Sequence, residues 1–420
     1  MRSKPVQWLA AAALLVTFST PGWAQAELVG EEFQVNTNKD TRQLVPVAAY
    51  GPSGVSLVVW ANDRHGILGR IYDRQGAPLT GELALVPNKN LPGIPAQGEV
   101  LVRKDPALAT LPNGEFLLFW TEEKDYLRLD HFWENREILD QDVYGQRFSA
   151  FGVPQGDRFR VNANTAGLQH RPQVAIKAGG IVVVWESGAS EKNTTSVQGR
   201  LLTRRGQPTS DEFRVDSGSA GEVWNLALAA NNAGDFLVAW ESDHVDGPNI
   251  LARIFDKDGT AVGSEQVVNT VTLGRQRRPA ALATRNGDFL VAWQGYLKNT
   301  DYHGVNGQFL SSSGARIGSE LKISKGVGEV QISPALAMLP SGNIVVTWMD
   351  WINTTPIGAF AVVIDNAGQT LGDEIMINHA RLFPQYRMSV AANAQGEVLA
   401  VWEGRTSRKQ SIAARRLQAD

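Results

Sequence analysis

Seven tryptophans stand at the ends of similar apolar runs in this chain: Trp60 after SLVV, Trp120 after FLLF, Trp185 after IVVV, Trp240 and Trp293 after FLVA, Trp348 after IVVT and Trp402 after VLAV. Their spacings are 60, 65, 55, 53, 55 and 54 residues. A unit of this length built from strand-like runs cannot bury its apolar faces alone and must stack against copies of itself. The period is that of propeller blades with four strands each.

Each repeat can be written as strands A to D. Strand A is a short apolar run opened by a proline, as in Pro172-Gln-Val-Ala-Ile, and a hairpin turn such as Pro112-Asn-Gly follows it. Asn-Gly favours the positive φ that tight hairpins need. Strand B ends at the tryptophan, strand C reads like Val143-Tyr-Gly-Gln-Arg-Phe, and strand D reads like Glu212-Phe-Arg-Val-Asp. Continuous apolar runs in A and B fit burial on both faces, whereas alternation in C and D fits one wetter face. The last repeat runs through strand C at Ser411 to Leu417, while Glu31 to Asn36 reads as a strand D with no repeat of its own. The expected fold is therefore all-β: a seven-bladed propeller of four antiparallel strands per blade, closed by the N-terminal strand, which completes the last blade and removes an exposed edge.

Residues 1–26 read as a cleaved secretory leader: Arg2 and Lys4, an apolar stretch from Leu9 to Val16, then Ala24-Gln-Ala26. The rest, 27–420, is expected to be one domain, periplasmic or secreted, with an insertion at 122–142 in the second repeat. No stretch is long enough for a membrane span. With no cysteine, disulfides and thiolate metal sites are excluded, and a net charge of −3 offers no field for nucleic acid.

The pattern V-N-T…Q-x-x-P-x-V-A…G-x-F-V-V-x-W is carried by Val35-Asn-Thr37, Val161-Asn162 and Val268-Asn-Thr270, and by Gln43, Gln169, Gln276, Gln331 and Gln385. It resembles the repeats of roughly 50 residues in large secreted bacterial proteins taken to form propellers. The fourth repeat departs from it, with Val223 and Leu226 in place of Gln and Pro. The resemblance implies fold and export, and brings no catalytic residues.

No metalloprotease, nucleophile-elbow, P-loop or dinucleotide motif is present, and Asp256-Lys-Asp-Gly259 lacks the further ligands of a calcium loop. No cofactor or metal is expected. The A–B and C–D turns share one face and are tight; the B–C loops and D–A crossovers share the other and vary in length. Function is expected on the variable face. The residue before each strand A rings the central opening there: Val45, Asp105, Arg171, Asn225, Arg278, Ser333 and Arg387. Three guanidiniums converging beside one aspartate repel one another unless an anion sits between them, or unless neighbouring carboxylates pair each in turn. Tyr126, His131 and Trp133 in the insertion are candidates for a stacking wall beside Asp105, Arg171, Arg278 and Arg387. A binding module for an anionic glycan, peptide or protein partner ranks first. A hydrolase or lyase acting on an extracellular polysaccharide, with Asp125 and Asp142 as acid and base, is the alternative. A structural envelope component is the third reading.

Overall fold

The computed structural model describes residues 26–89, 99–126, 138–190, 193–218, 221–243, 247–296, 303–325, 330–352, 355–379, 386–406 and 409–419. Residues 1–25 of the expected leader (1–26), His131 and Trp133 lie outside them. The chain is an all-β propeller. Its first sheet shows the unit: Gln43–Tyr50, Ser56–Asn62, Gly66–Tyr72 and Leu83–Pro87 run as an antiparallel meander from the centre outward. Three more four-stranded sheets span Val223–Val267, Arg275–Lys322 and Val330–Met376. A fifth combines Tyr386–Ala392, Glu397–Thr406 and Lys409–Gln418 with the N-terminal strand Glu27–Gln34, paired Glu27 to Gln418 and Gln34 to Ala413.

The expectation of seven separate four-stranded blades is corrected here. Five blades are separate four-stranded sheets, but the second and third repeats form one eight-stranded sheet, in which Leu168 of the third repeat's inner strand pairs in parallel with Gln141. The cause lies in strand length. Phe116–Tyr126 and Ile138–Phe148 are each 11 residues long, against seven for Ser56–Asn62 and Gly66–Tyr72. Their extra turns of ladder pair Glu122 with Asp142 and Lys124 with Asp140, carrying the third strand far enough to meet its neighbour. The expected loop insertion is therefore strand over 122–126 and 138–142.

The core lies between sheets. All seven repeat tryptophans are buried, and apolar clusters join neighbours: Val182 and Val184 pack with Val238 and Trp240, Leu57 and Val59 with Leu118 and Trp120. Burying an indole stabilises by roughly 4–6 kcal/mol as an upper bound. Three polar devices recur around this core. In the first, third and fifth repeats Gln43, Gln169 and Gln276 accept the indole N–H of Trp60, Trp185 and Trp293, at 2.8, 2.8 and 3.1 Å. Trp240 Nε1, in the repeat where Val223 replaces glutamine, has no hydrogen-bond partner among the described residues, and neither has Trp348 Nε1 in a repeat that keeps Gln331. Asn36, Asn162, Asn269 and Asn378 accept the backbone N–H of Ile412, Val143, Ile250 and Ala359, each at 2.8 Å. Finally, a glutamate of one outer strand caps the preceding crossover: Glu265 accepts from Ser217 N, Glu320 from Thr270 N and Glu32 from His379 N. Most outer ladders are only two residues long, as at Phe159–Arg160, which leaves little free edge.

Candidate functional site

Every inner strand breaks register at the same place. The slips lie between Leu44 and Val47, Lys104 and Ala107, His170 and Gln173, Trp224 and Ala227, Arg277 and Ala280, Ile332 and Ala335, and Tyr386 and Met388. Among the described residues, the only non-glycine positions with positive φ are Val45, Asp105, Arg171, Asn225, Arg278, Ser333 and Arg387, at 34 to 54°. These are the ring positions read from the sequence. A left-handed residue costs about 1–3 kcal/mol and persists only where its surroundings fix it. In five of the seven the next residue is a proline (Pro46, Pro106, Pro172, Pro279, Pro334), whose ring keeps the preceding residue out of the right-handed helical region.

The fixing partner comes from the neighbouring repeat, from the residue immediately after its tryptophan. Glu403 Oε1 accepts the N–H of Val45 at 2.5 Å, Thr121 Oγ1 that of Arg171 at 3.0 Å, Glu186 Oε1 that of Asn225 at 2.8 Å, and Glu241 Oε2 that of Arg278 at 3.3 Å. Composition and motif search pass over these glutamates because they follow a core tryptophan. Their recurrence at one repeat position was the signal available.

The ring side chains line one cavity of about 350 Å³, together with Glu186 and the ring prolines. Asp105, Arg171, Arg278 and Arg387 are thus brought together. Tyr126 is placed only by its backbone, at the end of Phe116–Tyr126. Asp142 is not among the lining residues: its carboxylate accepts from Asn162 Nδ2 at 2.5 Å, and the side chain of Asp125 lies outside the described residues. His170 is no loop residue but is buried in the strand Leu168–Lys177, 3.7 Å from Glu186. Asp256 closes its own turn by accepting from Asp258 N and Thr260 N.

The three arginines differ. Arg171 Nη1 lies 3.0 Å from Glu186 Oε2, so this guanidinium has its carboxylate. Burial pushes the Glu186 carboxyl up to about 7, against the opposing pull of Arg171. Thr121 donates to Asp105 at 3.3 Å and Asn225 Nδ2 to Glu241 at 2.8 Å, so hydrogen bonds run without a gap from Asp105 to Asn225. Arg278, by contrast, donates from Nη1 to the neutral Ser333 Oγ at 2.8 Å. Burial, and next the charge of Arg387, hold its guanidinium below the usual range. Arg387 has no hydrogen bond or ion pair among the described residues. Glu403 lies near both, its carboxyl raised by burial against the pull of Val45 N–H, Arg387 and Arg278.

No protein-family model and no curated protein matches the sequence. Solved structures do match in fold. A protein of unknown function from Dyadobacter fermentans is 12% identical over 96% of this chain and 100% of its own, with a TM-score of 0.56. A polysaccharide lyase, ulvan lyase bound to -[GlcA(1-4)Rha3S]-, is 10% identical over 94% of each chain, at 0.54. The NanB sialidase of Streptococcus pneumoniae is 10% identical over 92% of this chain and 70% of its own, at 0.50. At such identities the likeness is one of fold, shared with carbohydrate-active propellers.

Proposed function

We propose that the chain is an exported protein that recognises an acidic polysaccharide, holding a sugar carboxylate or sulfate on the Arg278–Ser333–Arg387 side of the central mouth. The observation that carries this reading is the pair of adjacent guanidiniums on one cavity, one bonded only to a hydroxyl and the other to nothing among the described residues. Two like charges this close are relieved by an oxyanion, which a guanidinium fork binds in bidentate fashion. A fold used by a polysaccharide lyase and a sialidase supports carbohydrate as the partner class. Titration calorimetry with uronate, sulfated and neutral oligosaccharides tests it. Acidic oligosaccharides should bind and neutral ones should not, and equal binding of both sets aside the reading.

Turnover as a hydrolase or lyase is the second reading, favoured by Glu186. A cavity carboxyl held near neutral can give or take a proton at physiological pH. New reducing ends, or the ultraviolet absorbance of an unsaturated uronate, would report it. A Glu186→Gln variant that keeps full turnover excludes Glu186 from the chemistry.

A further inference from the structure

On the tight-turn face, neighbouring repeats are closed against one another by a side chain that crosses the seam to a backbone carbonyl. Lys177 Nζ donates to Lys257 O at 2.8 Å, Asn231 Nδ2 to Gly287 O at 2.9 Å, Arg285 to Pro340 O and Arg416 to Arg74 O. The seam between the second and third repeats differs. Its turns, Leu111–Glu115 and the one bearing Arg204 and Arg205, leave a cavity of about 450 Å³ lined by Arg147, Arg204, Arg205, Asn113 and Glu115. Glu115 is the one carboxylate of this lining, 3.5 Å from Arg147 Nε, and that nitrogen has no hydrogen-bond partner. Arg204 and Arg205 are exposed, and their guanidiniums have no partner among the described residues. Beside the cavity, Ala150 Cβ lies 3.8 Å from where a Cβ on Gly114 would stand, and the same turn carries Phe151 and Val153, 65% and 57% exposed.

We propose that this seam docks an acidic segment of a partner protein that carries an apolar side chain. Three guanidiniums against one carboxylate fit acidic side chains. The exposed phenylalanine and valine on the turn that adjoins Leu111–Glu115 favour a protein, because arginine and aromatic side chains together mark the cores of protein interfaces. The proposal is independent of the reading of the central mouth.

Fluorescence anisotropy with a labelled peptide of alternating glutamate and leucine, run beside polyglutamate and a sulfated oligosaccharide, tests it on the whole chain. The Glu-Leu peptide should bind the unaltered protein in a salt-sensitive way. It should bind at least about tenfold more weakly to Arg204→Glu/Arg205→Glu and about threefold more weakly to Phe151→Ser. Arg278→Ala/Arg387→Ala should leave it unchanged, and the thermal midpoint should stay put in the seam variants. The proposal is overturned if the peptide does not bind, if the Arg204/Arg205 variant binds it equally, or if only the sulfated oligosaccharide depends on those arginines.

Discussion

Two halves of the central mouth share a backbone and differ in charge. From Asp105 through Arg171 to Asn225 every ring residue is wired to the next, and the single guanidinium there meets a buried glutamate. From Arg278 through Ser333 to Arg387 the same bulge recurs at the same positive φ, yet no carboxylate reaches either guanidinium within ion-pair distance among the described residues. Part of the difference lies at the residue after the core tryptophan in each arginine's own repeat. It is Glu186 for Arg171, whose guanidinium it meets, but Gln294 for Arg278, while Glu403 of the Arg387 repeat accepts the N–H of Val45. The repeat thus builds the same bulge all round, and the side chains around it decide whether a ring arginine meets a carboxylate within the protein.

The largest effect should come from the wired half. The folded Glu186 carboxyl sits near 7, above its unfolded value near 4.5, so the folded state holds the proton more tightly. That contribution is complete below about 4.5 and lost as pH rises through about 7, so Glu186→Gln should gain stability relative to the unaltered protein across this window, by about 3 kcal/mol in all. Thermal melts of both proteins from acid to pH 8 check it, and a constant difference would mean that burial does not govern Glu186.

Arg171→Ala and the arc arginines should separate stability from binding. Removing Arg171 leaves a buried carboxylate without its donor, at a cost of about 2 kcal/mol at pH 8 and less at pH 5, where Glu186 accepts a proton. Binding of acidic oligosaccharide should change little. Arg278→Ala/Arg387→Ala should do the reverse, weakening that binding at least about thirtyfold while the melting temperature holds or rises as repulsion is relieved. If the two variants lose binding equally, the division of the mouth is wrong. The smallest effect is expected from Gln294→Glu, which sets a carboxylate beneath Ser333 and beside Arg278; calorimetry should read about threefold weaker binding.

The ring was legible in the sequence because a proline follows five of its seven positions, and the repeat spacing carries the count to Asn225 and Arg387. The split among Arg171, Arg278 and Arg387 was not, because it turns on which side chain each guanidinium meets in space: Glu186 of its own repeat for Arg171, Ser333 of the adjoining repeat for Arg278. The fusion of the second and third sheets was hidden for a related reason. Residues 122–126 and 138–142 are charged and polar and read as loop, but their backbone groups continue the ladder whatever the side chains are. Burial of the tryptophans followed from periodicity alone, while the glutamine that bonds their indoles was visible only as a recurring letter.

The pairing of Glu27–Gln34 with Lys409–Gln418 also sets a clock. During synthesis the first strand of the ring has no partner until Lys409–Gln418 has left the ribosome, so closure has to wait for that strand, however early the intermediate sheets form. Until then the chain carries an unpaired strand at each end, the arrangement most open to pairing with another molecule. A factor that shelters nascent chains should therefore change the yield of this protein more than its final stability.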